Sequence, residues 1–168
     1  MSVPRWRELK EQRLTSPDDL LVELGIWEPP VDVHRLCAAL GVELRAIREM
    51  GWSGAIKSTE DRAICWVDET EHRHRQRFTI AHELGHLFLH PTGLEFRDTG
   101  APTYGHREAE ANRFAAELLM PASMLLARTA RYGRSPERLA RVFQVSEQAM
   151  DFRLRNLGLP SATRPEWP

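Results

Sequence analysis

Cysteine is scarce in this chain: Cys37 and Cys65 are its only two among 168 residues. Both stand among apolar neighbours. That argues against a disulfide framework and suits reduced, buried thiols in a cytoplasmic protein. Long apolar runs are missing too; none approaches the ~18 residues needed to cross a bilayer. The opening MSVPRWRELKEQRL is charged throughout and has no apolar core, unlike a secretory signal. There is no repeat and no low-complexity segment. Charge of one sign is lacking overall: the formal net charge is −1, so the whole-chain balance does not point to nucleic acid or membrane. The distribution is uneven, however. From Ala122 to Pro168 there are eight arginines and four acids, a local net of +4, which leaves −5 for the rest.

What is present is ordinary globular material. The hydrophobic fraction is 42%, and the length suits one domain, or a domain with a small appendage. Ser16 and Pro17 open a helix that Gly25 stops. Asp32 caps a second, which ends at Gly41. Residues 42–47 alternate as a strand, and GWSGAI and RAICWV give two more, separated by the polar turn STED. Together they suggest a small antiparallel sheet. A long helix spans about 71–89 and ends before Pro91. After a loop rich in Gly, Pro and Thr, another helix covers about 106–119. Shorter helices follow at 122–131, 136–143 and 147–157, and 160–168 reads as a frayed tail.

The chemistry concentrates in FTIAHELGHLFLH, residues 78–90. His82 and His86 stand four apart, so they share one helix face about 6 Å apart along the axis. Two imidazoles there can meet one zinc ion. Glu83 lies about 100° round the helix. It is poorly placed to be a ligand and well placed to reach a water on the metal, the H-E-x-x-H arrangement with glutamate as general base. Phe78, Ala81, Leu84, Leu87 and Phe88 keep the surroundings dry, and Gly85 allows another backbone or a substrate to approach. The competing account is a surface helix that carries these residues by chance. His90 lies about 12 Å from His82 along the axis, too far to share the ion. It reads as a C-terminal residue favourable to the helix dipole.

A catalytic zinc takes three protein ligands and a water. In HREAEANRFAAELLMP the apolar stripe is Ala111, Phe114, Ala115 and Leu118. Glu108 lies nearer its centre than Glu110, which falls on the other flank, with Glu117 further out. Glu108 is therefore the carboxylate expected to face inward. Asn112, one turn on, can orient a ligand by a hydrogen bond. The plain alternative for Glu108 is a half-buried acid near Arg107 or Arg113.

These blocks, RQRFTIAHELGHLFLH followed by EAEANRFAAELLMP, resemble the ImmA/IrrE family of zinc metallopeptidases. VDVHRLCAALGVELRAI, the SGAI segment and LARVFQVSEQAMDFRLRNLGL are similar to family features, so the resemblance covers about residues 28–159. It implies zinc held by His82, His86 and Glu108, with Glu83 catalytic. Glu108 matches an E-x-x-x-N/D spacing shared with related gluzincins, although Asn112 stands where many of them carry aspartate. The implied reaction is metal-assisted peptide hydrolysis. Tyr104, His106 and Tyr132 are open candidates to steady the oxyanion. The implied substrate is a helix-turn-helix repressor of the Xre/Cro type, whose cleavage derepresses its target genes.

The C-terminal sequence SPERLARVFQVSEQAMDFRLRNLGL has a helix-turn-helix outline, with Ser135 and Ser146 as caps and a shared core of Leu139, Phe143, Val145, Ala149 and Leu154. Arg138, Arg141, Arg153 and Arg155 can meet phosphates. One reading is DNA binding, which makes the chain a transcriptional regulator with a structural or vestigial metal site. The other is a unit that covers the core or holds a protein substrate. Glu147 and Asp151 near the start of the would-be recognition helix favour the second.

The expected fold is α+β and mainly helical, with a small antiparallel sheet. Expected units are an N-terminal helical extension (1–27), a zincin-like metallopeptidase domain (28–131) and a C-terminal helical segment with a tail (132–168). The oligomeric state stays open.

Overall fold

The computed structural model describes residues 3–49, 51–91 and 102–161, with backbone alone for 102–104. The Gly-, Pro- and Thr-rich loop after Pro91 and the end of the C-terminal tail lie outside the described residues. Eight helices and three strands occupy the described chain. In order they are α1 (Arg5–Glu11), α2 (Pro17–Glu23), α3 (Val33–Leu40), β1 (Val42–Ile47), β2 (Gly54–Ser58) and β3 (Ala63–Asp68). Then come α4 (Arg73–Leu89), α5 (Pro102–Leu119), α6 (Ala122–Tyr132), α7 (Pro136–Phe143) and α8 (Glu147–Asn156). The mainly helical α+β class holds.

Capping residues set most of the helix starts. Ser16 and Asp19 form a reciprocal capping box on α2, and Asp32 accepts from the amides of His34 and Arg35 at the start of α3. Ser135 and Ser146 cap α7 and α8. The helix expected from about residue 71 begins at Arg73, because the His72 Nδ1 accepts from the His74 amide as its cap. The helix expected from about residue 106 begins a turn earlier, at Pro102. Proline suits that first position because it has no amide to leave unpaired.

The sheet departs from the expected antiparallel arrangement: it is mixed. Strand order is β1-β3-β2; β2 and β3 pair antiparallel, but β1 and β3 run parallel. The Thr59–Arg62 turn joins β2 to β3 tightly, with the Thr59 amide on the Arg62 carbonyl at 2.8 Å. β1 and β2 thus lie one strand apart, and β3 fills the gap between them. In the central strand Ala63, Cys65 and Val67 alternate into the core. Helix α4 packs on β2 and β3, and α3 on β1.

A single apolar core reaches from Trp6 and Leu9 of α1 to Met150 and Leu154 of α8. Three long cations cross it as ties. The Lys10 Nζ of α1 donates to the carbonyls of Leu87 (2.6 Å) and His90 (2.5 Å), at the C-terminus of α4. Buried Arg77 of α4 donates to the carbonyls of Gln144 (3.1 Å) and Phe143 (3.4 Å), at the end of α7. Arg153 of α8 donates from Nε to the Met120 carbonyl at 3.0 Å. Arg153 is thus turned inward and is not offered to phosphate. Arg141 and Arg155 pair with Glu137 and Asp151 on their own helices.

Helices α4 and α5 approach most closely at Gly85. A Cβ there would lie 3.0 Å from the Ala111 Cα, 3.1 Å from the Phe114 Cβ and 3.2 Å from the Ala111 carbonyl oxygen. One turn along, the Phe88 and Phe114 rings stack with centroids 6.3 Å apart. Gly85→Ala gains helix propensity of at most about 1 kcal/mol, but it must push two backbones apart. We expect a net loss of about 1–3 kcal/mol in urea unfolding; an unchanged or higher midpoint would contradict this packing.

Candidate metal centre

Position along α4 decides which side chains meet. His82, Glu83 and His86 leave the same helix, and Glu108 and Asn112 enter from α5. The His82 and His86 Nε2 atoms are 3.0 Å apart. The Glu108 carboxylate spans them, with Oε2 3.1 Å from the His82 Nε2 and Oε1 2.9 Å from the His86 Nε2. On its other side the His82 ring meets Asn112, Nδ1 to Oδ1 at 2.9 Å. If the Asn112 carbonyl oxygen accepts, Nδ1 carries the proton and the His82 Nε2 presents its lone pair to the cluster. This is the orienting contact anticipated for Asn112.

The donor set fits a metal ion. Ligand atoms of His82, His86 and Glu108 lie within 4.8 Å of one another. Bonds of about 2.0–2.1 Å in a tetrahedron separate donors by about 3.3–3.4 Å. The observed spacings are only a few tenths shorter, so a small outward shift accommodates an ion. Two imidazoles and one carboxylate suit a divalent transition metal. Three such ligands leave a fourth position for water or substrate.

Electrostatics follow from burial. His86 is almost fully enclosed, and burial, with smaller contributions from His82, His90 and Arg107, pushes its pKa down to about 3. It is a neutral imidazole, the form in which histidine can bind a metal. Glu83 is also buried; desolvation first, and then the Glu108 charge, push its pKa up from 4.5 to about 8. Glu83 lines the same open cleft of about 370 Å³ as His82, His86, Glu108 and Asn112.

Other expectations resolve differently. His90 caps the C-terminus of α4, its ring is buried, and its Nε2 lies 3.3 Å from the Arg107 carbonyl oxygen. It is not in the three-residue cluster, as its distance along the helix required. Burial lowers its pKa, which weakens the charge it was expected to bring to the helix dipole; the cation at that terminus is Lys10. Glu110 stays outside the cluster and lies 3.9 Å from the exposed His106. Of the oxyanion candidates, the Tyr104 side chain lies outside the described residues. His106 and Tyr132 are not among the residues that line the cleft. Tyr132 packs against the core with Arg131 over its ring.

Gly54 went unremarked as a site residue. It opens the edge strand β2 and lines the cleft. A Cβ there would stand 2.3 Å from the Thr79 Cγ2, 2.9 Å from the Trp66 carbonyl oxygen and 3.5 Å from the Glu83 Oε1. Only glycine lets the strand run this close to the Glu83 carboxylate. Its only sequence signal was the glycine of SGAI.

The shifted groups give a pH signature in chelator-treated protein. Glu83, with its folded pKa raised, contributes stability that is full below pH 4.5 and is lost as pH rises towards about 8. His86, with its folded pKa depressed, contributes stability that is full above pH 6.5 and is lost as pH falls towards about 3. Glu83→Gln removes the first dependence. The variant should exceed the parent at pH 8.5 by on the order of 2–4 kcal/mol and converge with it near pH 4.5. Parallel urea curves at the two pH values would refute the assignment.

Residues 37–155 match the Peptidase_M78 family, described as the IrrE N-terminal-like domain. The chain is 30% identical over 125 residues to the radiation response metalloprotease IrrE of Deinococcus radiodurans, covering 71% of this chain and 38% of that protein. It is 35% identical over 91 residues to metallopeptidase ImmA of Bacillus subtilis, covering 52% of this chain and 54% of that one. Its fold is similar to that of a Mycobacterium tuberculosis transcriptional regulator, with TM-score 0.57 at 18% identity over 96% of this chain and 53% of the other. The chain thus spans about half or less of the length of these relatives. With the matched region covering most of its residues and containing the His82–His86–Glu108 cluster, the chain belongs to the ImmA/IrrE family.

Proposed function

We propose that the protein is a zinc-dependent endopeptidase in which His82, His86 and Glu108 hold the metal and Glu83 is the general base. The observation that carries this reading is a carboxylate with a raised pKa, buried in an open cleft beside three converging metal donors. A structural zinc site closes its coordination and has no use for such a group.

When bound, zinc supplies Lewis acidity toward the scissile carbonyl and a lowered pKa for the attacking water. Glu83 takes a proton from that water and returns it to the leaving amine. Asn112 holds the His82 ring in its orientation. Strand β2 lies at the edge of the sheet, and its first residue, Gly54, lines the cleft with the preceding Ser53. An extended substrate chain can pair with such an edge. Among partners, the family resemblance favours a protein, and we read it as a helix-turn-helix repressor of the Xre/Cro type whose cleavage derepresses its genes. The inward turn of Arg153 and the paired Arg141 and Arg155 weigh against operator binding by α7 and α8.

Purified protein should carry about one zinc per chain. Ala substitution at His82 or Glu108 should strip it, and at Glu110 should not; elemental analysis decides, and zinc retained in Glu108→Ala would reassign the site. Glu83→Gln should keep zinc yet lose on the order of 10²–10⁴ or more in the rate of repressor cleavage followed by mass spectrometry. Undiminished cleavage by that variant would rule the mechanism out.

A further inference from the structure

A second hollow, of about 770 Å³, opens beside the metal-centre cleft. Arg75, Phe78 and Asn112 line both, so the two form one continuous groove. Beyond this junction the wall is mainly apolar, built from Ala116 and Met120 at the end of α5 and Val145, Ala149 and Phe152 at α8. Phe152 is 57% exposed although its neighbours Met150 and Leu154 are fully buried. An aromatic ring left open beside a cleft of this kind marks a contact surface.

Charge adds a second constraint. Among the described residues no carboxylate lines this hollow. At the junction the Arg75 Nη2 donates to the Ser53 Oγ at 3.3 Å, and its Nε lies 3.9 Å from a Glu71 oxygen. Those two loose contacts leave N–H groups of an exposed guanidinium for an incoming acid. A nucleic-acid strand is the poorer fit. Of the two arginines in the lining, Arg153 is committed to the Met120 carbonyl, which leaves no row of cations to follow phosphates.

We propose that this groove holds an extended segment of the protein substrate, with a carboxylate on Arg75 and a bulky apolar side chain against Phe152. In sequence the acid then stands between the scissile bond and the apolar residue. This order rests on the peptidase reading; the two contacts themselves do not.

The test separates binding from cleavage. A random dodecapeptide display library is selected on full-length Glu83→Gln protein, in which bound peptides stay intact. Recovered peptides should pair Asp or Glu with a nearby Leu, Ile, Met or Phe. Phe152→Asp and Phe152→Ser in that background should each lower recovery by about tenfold or more. Leu126→Asp, at an exposed apolar residue elsewhere, should leave recovery unchanged. Arg75→Glu should exchange the acid of the consensus for Lys or Arg. No enrichment, a consensus without the acid–apolar pair, or recovery indifferent to Phe152 would overturn the proposal. So would a Phe152-dependent dimer in sedimentation, or competition by a single-stranded oligonucleotide as strong as by the peptides. Failure of the peptidase reading would show separately, as repressor cleavage surviving in Glu83→Gln.

Discussion

The site depends on how closely two helices can approach. With no side chain at Gly85, the backbone of α5 at Ala111 comes within contact of α4. Everything polar in the cluster follows from that distance and from antiparallel running. One turn towards the start of α4, His82 meets Asn112; on the other side of the contact, His86 meets Glu108. Each step along α4 is matched by a step back along α5, so both imidazoles find a partner from the opposite helix. A wider spacing would strand the Glu108 carboxylate outside hydrogen-bonding range of the rings. The stacked Phe88 and Phe114 rings hold the same spacing from the far side.

That closeness sets up an electrostatic cost. Enclosing His86 and Glu83 removes water from two groups that would otherwise ionise, and both shift towards their neutral forms. The cost is concentrated where a cation would relieve it. A divalent ion among His82, His86 and Glu108 favours deprotonated ligands and brings the Glu83 pKa back down. Metal-free, the cleft is a destabilised part of the fold; with metal, the same burial strengthens every charge interaction in it. Gly54 belongs to this economy of space, because its missing side chain keeps strand β2 and the Glu83 carboxylate adjacent.

Helix phase was legible because it is local. The spacing of His82 and His86, and the position of Glu108 against its apolar stripe, needed only 100° per residue, and the structure finds these three together. Helix caps were legible for the same reason. What escaped was non-local. Short strands announce themselves but not their order, so the parallel pairing of β1 with β3 did not show. Gly54 matters only through Thr79, Trp66 and Glu83, all distant in sequence. Nothing in the sequence marks Lys10 or Arg77 as buried, and Arg153 reads as a cation for phosphates, since long cations are seldom buried. Their carbonyl partners at helix ends became visible only with the fold. His90 carried the right position for a dipole partner, but burial lowers its pKa.

The buried arginines also decide how the C-terminal helices should be regarded. A helix-turn-helix that reads an operator presents its second helix to a groove, free of the rest of the chain. Here Arg77, five residues before His82, grips the end of α7, and Arg153 grips the end of α5. Both bonds go to carbonyls that a helix end leaves without an internal partner, so breaking either exposes an unmet acceptor. The helical pair is therefore fastened to the two helices that carry the metal donors. Its face beside α5 becomes the wall of a groove that runs into the cleft. Surface and site are held as one body, so the groove wall at α8 stands at a fixed distance from Glu83. That geometry suits a fold whose C-terminal helices position a protein segment, and it leaves little freedom for them to follow DNA.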